Sequence, residues 1–215
     1  MCDDLVIIPK ATLGRLPLYL RALNELHHLN IQFVSSEEMA VKLGITSSQL
    51  RKDLSYFGGQ GIRGTGYDVA YLLTRIKDIL GISQNWRMAI IGLGKIGTAL
   101  ACYPGLRQHG INVTALFDID ETKIGWKVGE LPIKHLSELA EMKRELGLEI
   151  AALTVPARVA QEVTDLLVEA GFQGIWNFAP VRLETPENVI VQYEDLVVGV
   201  LTLSHLLSRK QGKTS

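Results

Sequence analysis

An apolar run, Met88-Ala89-Ile90-Ile91, leads directly into Gly92-Leu93-Gly94-Lys95-Ile96-Gly97 and then into a helix-like pattern. Glycines at this spacing, between a strand and a helix, suit the pyrophosphate of a dinucleotide. The first makes the tight turn, the second lets backbone approach the phosphates, and the third lets the helix pack close on the strand. The diphosphate then rests on free N–H groups at the helix start, where the dipole is positive. Asp118 follows 21 residues after Gly97, at the end of a second apolar run, Val113 to Phe117. An acid there is placed to hold ribose hydroxyls and favours NAD over NADP, whose 2′-phosphate it would repel. A second match, Gly59-Gln60-Gly61-Ile62-Arg63-Gly64, follows a polar and basic stretch and leads into more glycine, so it reads as a flexible hairpin.

Upstream lies a different kind of chemistry. Ser35-x-x-Glu38 is a capping box, with Met39, Ala40 and Leu43 as a short apolar face before Gly44. Thr46-x-x-Gln49 reads as a second capping box, opening a helix that Leu50, Leu54 and Phe57 bury on one side. Ser47, Ser48, Arg51, Lys52, Ser55 and Tyr56 are left largely outside. Two short helices joined at a glycine, the second carrying hydroxyls and cations, describe a helix-turn-helix whose outer face enters a DNA major groove. The glycine-rich stretch from Gly58 to Gly66 then reads as a wing, placing Arg63 against phosphate or in the minor groove. Over residues 42–63 the cations Lys42, Arg51, Lys52 and Arg63 face Asp53 alone, a local charge of 4 − 1 = +3.

The elements around these motifs follow from periodicity. Residues 1–11 form a flexible arm. From Thr12, Leu13, Leu16, Leu20, Leu23 and Leu26 give a helical stripe, with Pro17 near its start and Arg15 and Arg21 on its polar side. The spacing predicts a helix over 67–80, resting on Val69, Leu72, Leu73 and Ile76. The polar turn at 81–85 separates a DNA-binding domain, 12–81, from a second domain, 86–194. There, strand and helix alternate: a loop with an edge strand at 125–133, a helix at 136–146, a strand at 149–155, a helix at 157–170 and a strand at 174–178. Alternation of this kind implies a doubly wound parallel sheet, with ligands beyond the strand ends at Gly92–Gly97, Thr154-Val155-Pro156 and Asn177-Phe178. The segment 195–209, capped by Asp195, is apolar nearly all round, so it requires burial in a second subunit; a homodimer also suits two DNA half-sites.

The 215 residues carry a net charge of −1, which excludes a wholesale polyanion binder while leaving room for a local basic face. Cys2 and Cys102 suggest no disulfide framework or zinc ribbon, and Cys102 reads as a small buried apolar residue, with a reactive thiol beside the cofactor as the alternative. His27-His28 lacks a third ligand, so no metal site is expected. With no secretory signal or membrane-length apolar run, the expected location is cytoplasmic.

Taken jointly, Leu50-Arg51-Lys52-Asp53-Leu54-Ser55-Tyr56-Phe57-Gly58, Arg63-Gly64-x-Gly66-Tyr67, the glycine motif, Tyr103-Pro104-Gly105 and Asn177-Phe178-Ala179-Pro180 resemble the Rex family of redox-sensing bacterial repressors. The resemblance spans about residues 12–208. It implies an α/β protein with an N-terminal winged helix-turn-helix domain, a Rossmann domain and a C-terminal helix exchanged between subunits. It further implies a repressor of transcription that NADH releases from operator DNA, NAD(H) being a regulatory ligand that is not turned over. Under it, Arg51, Lys52 and Arg63 meet DNA, Gly92–Gly97 hold pyrophosphate and Asp118 the ribose. Tyr103 lies by the nicotinamide and pairs with Asp195 of the partner subunit, which without NADH pairs instead with Arg21. Leu106 and Leu196 stand where the family often has aromatic residues. The rival reading is an NAD-dependent dehydrogenase, but 86–195 is taken up by the cofactor fold, and His109 and His135 lack a carboxylate partner for acid–base work. A CoA-binding regulatory module is a further alternative.

Overall fold

The structure, a computed structural model, describes residues 8–58, 61–62 and 64–211. It divides into two compact units, Met1–Gln84 and Asn85–Ser215.

In the first unit, helix α1 (Lys10–Leu13) precedes α2 (Leu16–His28), strand β1 (Phe33–Val34), α3 (Ser36–Leu43), α4 (Ser47–Ser55), strand β2 (Tyr67–Asp68) and α5 (Val69–Ile79). The expected first helix is thus two, divided at Gly14-Arg15, with Pro17 in the first turn of the second, where its missing N–H is harmless. Lys10 and Ala11, expected in a loose arm, are helical, while residues 1–7 of that arm lie outside the described residues. The break turns Leu13 outward and Thr12 inward, and Tyr19 joins Leu16, Leu20 and Leu23 in the core. The helix expected from Tyr67 starts two residues later. Tyr67 instead pairs with Val34 in an antiparallel ladder, and Asp68 caps α5 by accepting the Tyr71 N–H at 2.8 Å.

The second unit holds a seven-stranded sheet in the order β5-β6-β4-β3-β7-β8-β9. Its strands are β3 (Trp86–Ile91), β4 (Ile111–Asp118), β5 (Lys127–Val128), β6 (Leu131–His135), β7 (Ile150–Leu153), β8 (Gly174–Asn177) and β9 (Ile190–Tyr193). All neighbours run parallel except β5 against β6. Apart from the β5 edge, this is the dinucleotide-fold order, which reverses direction between β3 and β7 and opens a crevice there. The helices are α6 (Lys95–Ala101), α7 (Pro104–Gln108), α8 (Leu139–Leu146), α9 (Ala157–Glu169) and α10 (Leu196–Gln211). Side chains from β3, β4, β7 and β8 bury one face with Leu139, Ala160, Val163 and Leu167 of α8 and α9. Met88, Ile90 and Leu116 bury the other against Leu100 and Leu106 of α6 and α7. Burial on both faces is why β3 reads as an unbroken apolar run. Strand β9 and helix α7 escaped the pattern analysis, and the segment expected as one edge strand is the hairpin β5–β6, with only β5 at the edge.

Candidate functional site

The glycine turn is held from two sides. Gly92 has φ 93°, a left-handed conformation, and a Cβ there would meet Val155 Cγ1 at 2.8 Å. At Gly97 a Cβ would strike the Gly92 carbonyl and stand 2.7 Å from Thr154 Oγ1. At Gly94 it would meet nothing within 4 Å. The first and third glycines are therefore demanded by the protein itself, while the second faces open space. The Thr154 hydroxyl donates to the carbonyls of Gly92 at 2.7 Å and Ile91 at 3.0 Å, fastening the turn to the end of β7. Thr154→Val removes that donor. It is expected to destabilise the second unit by about 1 kcal/mol and to weaken dinucleotide binding, measured by thermal melts and calorimetric titration.

Beyond the turn, at the reversal of strand order, lies a cavity of about 610 Å³. Gly92, Gly94, Ile96, Asp118, Thr154, Val155, Pro156 and Phe178 line it, as do Ile119, Lys123 and Arg158, which the sequence analysis did not single out. Lys123 was signalled by the cluster Asp118-x-Asp120-x-x-Lys123; Arg158 had no signal beyond its place in the first turn of α9. Leu93, Lys95, Gly97, Tyr103 and Asn177 do not line the cavity. Tyr103 is 60% exposed. Asn177 is buried: its amide donates to the carbonyls of Ala179 and Val181, and its Oδ1 accepts the Ala179 N–H. It shapes the turn that carries Phe178.

Asp118 is nearly saturated with donors. Oδ2 accepts from Leu93 N–H at 2.8 Å and from Lys123 Nζ at 3.0 Å, and Oδ1 from the N–H groups of Ile119 and Asp120. Burial opposes its charge, but the N–H groups of Asp120 and Leu93 and the Lys123 ammonium prevail, holding the carboxyl below its ordinary range. The Asp118 bond also raises the Lys123 ammonium above its own.

In the first unit the predicted helix-turn-helix is present. Ser35 and Glu38 form the full capping box, Gly44 adopts φ 66°, and Leu50, Leu54 and Phe57 are buried. The second box is half made: Thr46 accepts the Gln49 N–H at 3.1 Å, but the Gln49 amide turns to Asp53 at 2.9 Å. Ser48, Arg51, Lys52 and Ser55 are exposed; Ser47 and Tyr56 are half-buried. Arg51 contacts Ser36 Oγ at 2.9 Å and Glu37 at 3.1 Å, a surface pairing weak enough to be exchanged for a phosphate. Ile62 and Gly66 exchange backbone hydrogen bonds of 2.8 and 2.9 Å, the base of the expected wing; Arg63 lies outside the described residues.

Asp53 corrects the charge count. It is 1% exposed and receives Arg15 Nε at 2.7 Å and Nη2 at 2.8 Å, Tyr19 Oη at 2.6 Å, Thr12 Oγ1 at 3.0 Å and Gln49 Nε2. Its charge is matched inside the unit, so it does not offset the cations on the outer face of α4. Arg15, expected on a polar face, is its partner. Cys102, expected to be buried, is exposed. Among the described residues no His, Cys, Asp or Glu cluster is placed to hold a metal ion, and no helix is long and apolar enough to cross a membrane.

A family model described as a CoA binding domain matches residues 83–181, and one described as a putative DNA-binding protein N-terminus matches residues 7–55. The redox-sensing transcriptional repressor Rex of Thermosipho africanus is 46% identical over 202 residues, covering 94% of this chain and 97% of that protein. The chain belongs to the Rex family. The Rex of Streptomyces coelicolor is 45% identical over 96% of the chain and 80% of its own length. Among solved structures, the Rex-family repressor RSP in complex with β-NAD⁺ and operator DNA superimposes with a TM-score of 0.90 at 34% identity, covering 97% of this chain and 96% of that one. RSP in complex with β-NADH gives 0.88 at 33% identity, over 97% and 98%.

Proposed function

We propose that this Rex protein is a homodimeric repressor that binds operator DNA and leaves it when NADH fills the cavity between β3 and β7. The observation that carries this reading is the open space at Gly94, beside a turn whose other two glycines are held by packing. The chain is a regulator and not a dehydrogenase: its relatives are repressors, and RSP, a Rex-family repressor, takes up NAD⁺ together with operator DNA and is also seen with NADH.

In this reading Gly92, Leu93, Gly94, Lys95, Ile96 and Gly97 present backbone to the pyrophosphate. Asp118 takes the adenosine ribose. Three of its four donors are backbone N–H groups, so the ribose hydroxyl replaces Lys123, whose one-third exposed side chain is free to swing out. Val155, Pro156 and Phe178 give the nicotinamide an apolar wall, with Thr154 and Asn177 holding the wall in shape. Such a wall penalises the charged ring of NAD⁺ by desolvation and accepts the neutral ring of NADH. Ser47, Ser48, Arg51, Lys52, Ser55, Tyr56 and Arg63 face the DNA.

Helix α10 supports the dimer: Leu196, Val197, Val198, Val200, Leu201, Leu203, Leu206 and Leu207 are each 51–65% exposed in the single chain, an apolar surface that association buries. Closure of the pocket over NADH turns the two subunits so that their recognition helices no longer match successive grooves. A near-complete switch needs about a 10⁴-fold preference between states, about 5.5 kcal/mol, shared by two sites. By reciprocity, operator DNA weakens NADH by the factor that NADH weakens operator.

Asp195 is the two-position latch, pairing with Arg21 in the DNA-bound state and with Tyr103 of the other subunit in the NADH state. Asp195→Ala is expected to bind both ligands and to lose the dependence of one on the other; release of DNA by NADH at the parent concentration would refute the latch. The function itself is tested by fluorescence anisotropy on an inverted-repeat operator, titrated separately with NADH and NAD⁺. Release by NADH with NAD⁺ weak or silent is expected. Tight binding indifferent to both, or no binding by a dimeric sample, would overturn it.

A further inference from the structure

The side chain behind the cavity wall is Trp176. It alternates with Asn177 along β8, so it shares a face with Phe178, and the two rings lie 4.5 Å apart at 60°. Phe178 lines the cavity; Trp176 does not. On its other side the indole Nε1–H donates to Glu194 Oε1 at 3.2 Å. Glu194 is the residue before Asp195, and Asp195 opens α10, its Oδ1 accepting the Val197 N–H at 2.9 Å.

The surroundings of this chain are stiff. The Asn177 amide fixes the turn bearing Phe178, the Glu194 N–H bonds the Asn177 carbonyl at 2.9 Å, and Tyr193 is in register with Asn177 across the sheet. Backbone on both sides is therefore set by the ladder. The side-chain contacts that join the cavity wall to the residue before Asp195 are the pair of rings and the indole–carboxylate bond.

We propose that Trp176 is the positioning residue through which the cofactor pocket sets the placement of Asp195: its ring bears on Phe178 and its N–H holds Glu194. A ligand that presses or shifts Phe178 moves the indole, and the indole carries or releases Glu194 and the adjoining helix start. The role is in coupling, not in binding, because Trp176 does not line the cavity. Coupling of this kind is carried by packed side chains with more than one arrangement. The proposal rests on the reading of the cavity as the NADH pocket.

The test measures three quantities on the full-length dimer: NADH affinity, operator affinity, and the factor by which saturating NADH weakens operator binding. Trp176→Phe keeps a ring on Phe178 and removes the donor. It is expected to lower the coupling factor about tenfold, the loss of one hydrogen bond to a charged acceptor, with operator affinity in the absence of NADH unchanged. Glu194→Ala is expected to do the same, and Glu194→Gln, which keeps an acceptor, to retain coupling. A purely structural tryptophan would change stability or affinity and leave the coupling factor alone. A parental coupling factor in Trp176→Phe overturns the proposal, whatever happens to NADH affinity; should that variant not fold, Glu194→Ala decides by the same criterion. If the parent itself is not released by NADH, the functional reading fails instead, a result distinct from a coupled parent with unaffected variants.

Discussion

Gly94→Ala is expected to weaken NADH about 10- to 100-fold, the loss of one or two charge-assisted backbone hydrogen bonds, while leaving the ligand-free melting temperature within about 2 °C of the parent. Gly94 has φ −79° and ψ −164°, a conformation open to alanine, and the added methyl meets no protein atom. Whatever it disturbs is therefore a ligand. Gly97→Ala is the contrasting variant: its methyl collides with the Gly92 carbonyl, so the apoprotein itself loses about 1–3 kcal/mol. Calorimetric titration beside thermal melts separates the two. Equal NADH affinity in Gly94→Ala and parent would remove the pyrophosphate from this turn.

Asp53→Ala is expected to be the most destabilising single change in the first unit, by about 3 kcal/mol, because the partly exposed Arg15 loses its counter-ion and the buried Tyr19 and Thr12 hydroxyls lose their acceptor. Arg15 and Tyr19 would be left facing a cavity, and α4 would lose its tie to α1 and α2. Operator binding is expected to fall with it even though Asp53 is buried inside the unit. The acid dependence follows from the carboxylate. Burial raises its pKa, but the hydrogen bonds from Arg15, Tyr19, Thr12 and Gln49 outweigh burial and hold it at about 2, below the ordinary 3.8. A depressed carboxylate stabilises the fold above its unfolded pKa, and that contribution fades as pH falls through 4 towards 2. In urea unfolding, the gap between parent and Asp53→Ala should be full at pH 7 and narrow progressively below pH 4. A gap independent of pH would mean that lost packing, and not the ion pair, is responsible.

The local signals were legible because each is written within a few residues. The glycine turn, the Ser35–Glu38 box, the Leu50–Leu54–Phe57 stripe and the alternation of strands and helices all depend on chain neighbours. Asp53 shows how such a signal is misread. It stands at the third position after Leu50, inside the buried stripe, yet beside Arg51 and Lys52 its charge is counted against theirs. Apart from Gln49, the partners that make its burial favourable stand 34 to 41 positions away. Strand β9 was invisible for a related reason: four residues of mixed exposure are a strand only because β8 supplies their ladder.

From sequence alone, this protein was determined to be a nucleotide fold joined to a DNA-reading helix pair, since strand, turn, helix and cap chemistry are short-range properties. The tertiary structure decided which nominated side chains reach the cavity, that Asp118 shares its oxygens with Lys123, that Asn177 serves a turn, and that Trp176 stands between Phe178 and Glu194. Those outcomes depend on strand order and register, which bring distant residues together through contacts that no local pattern encodes.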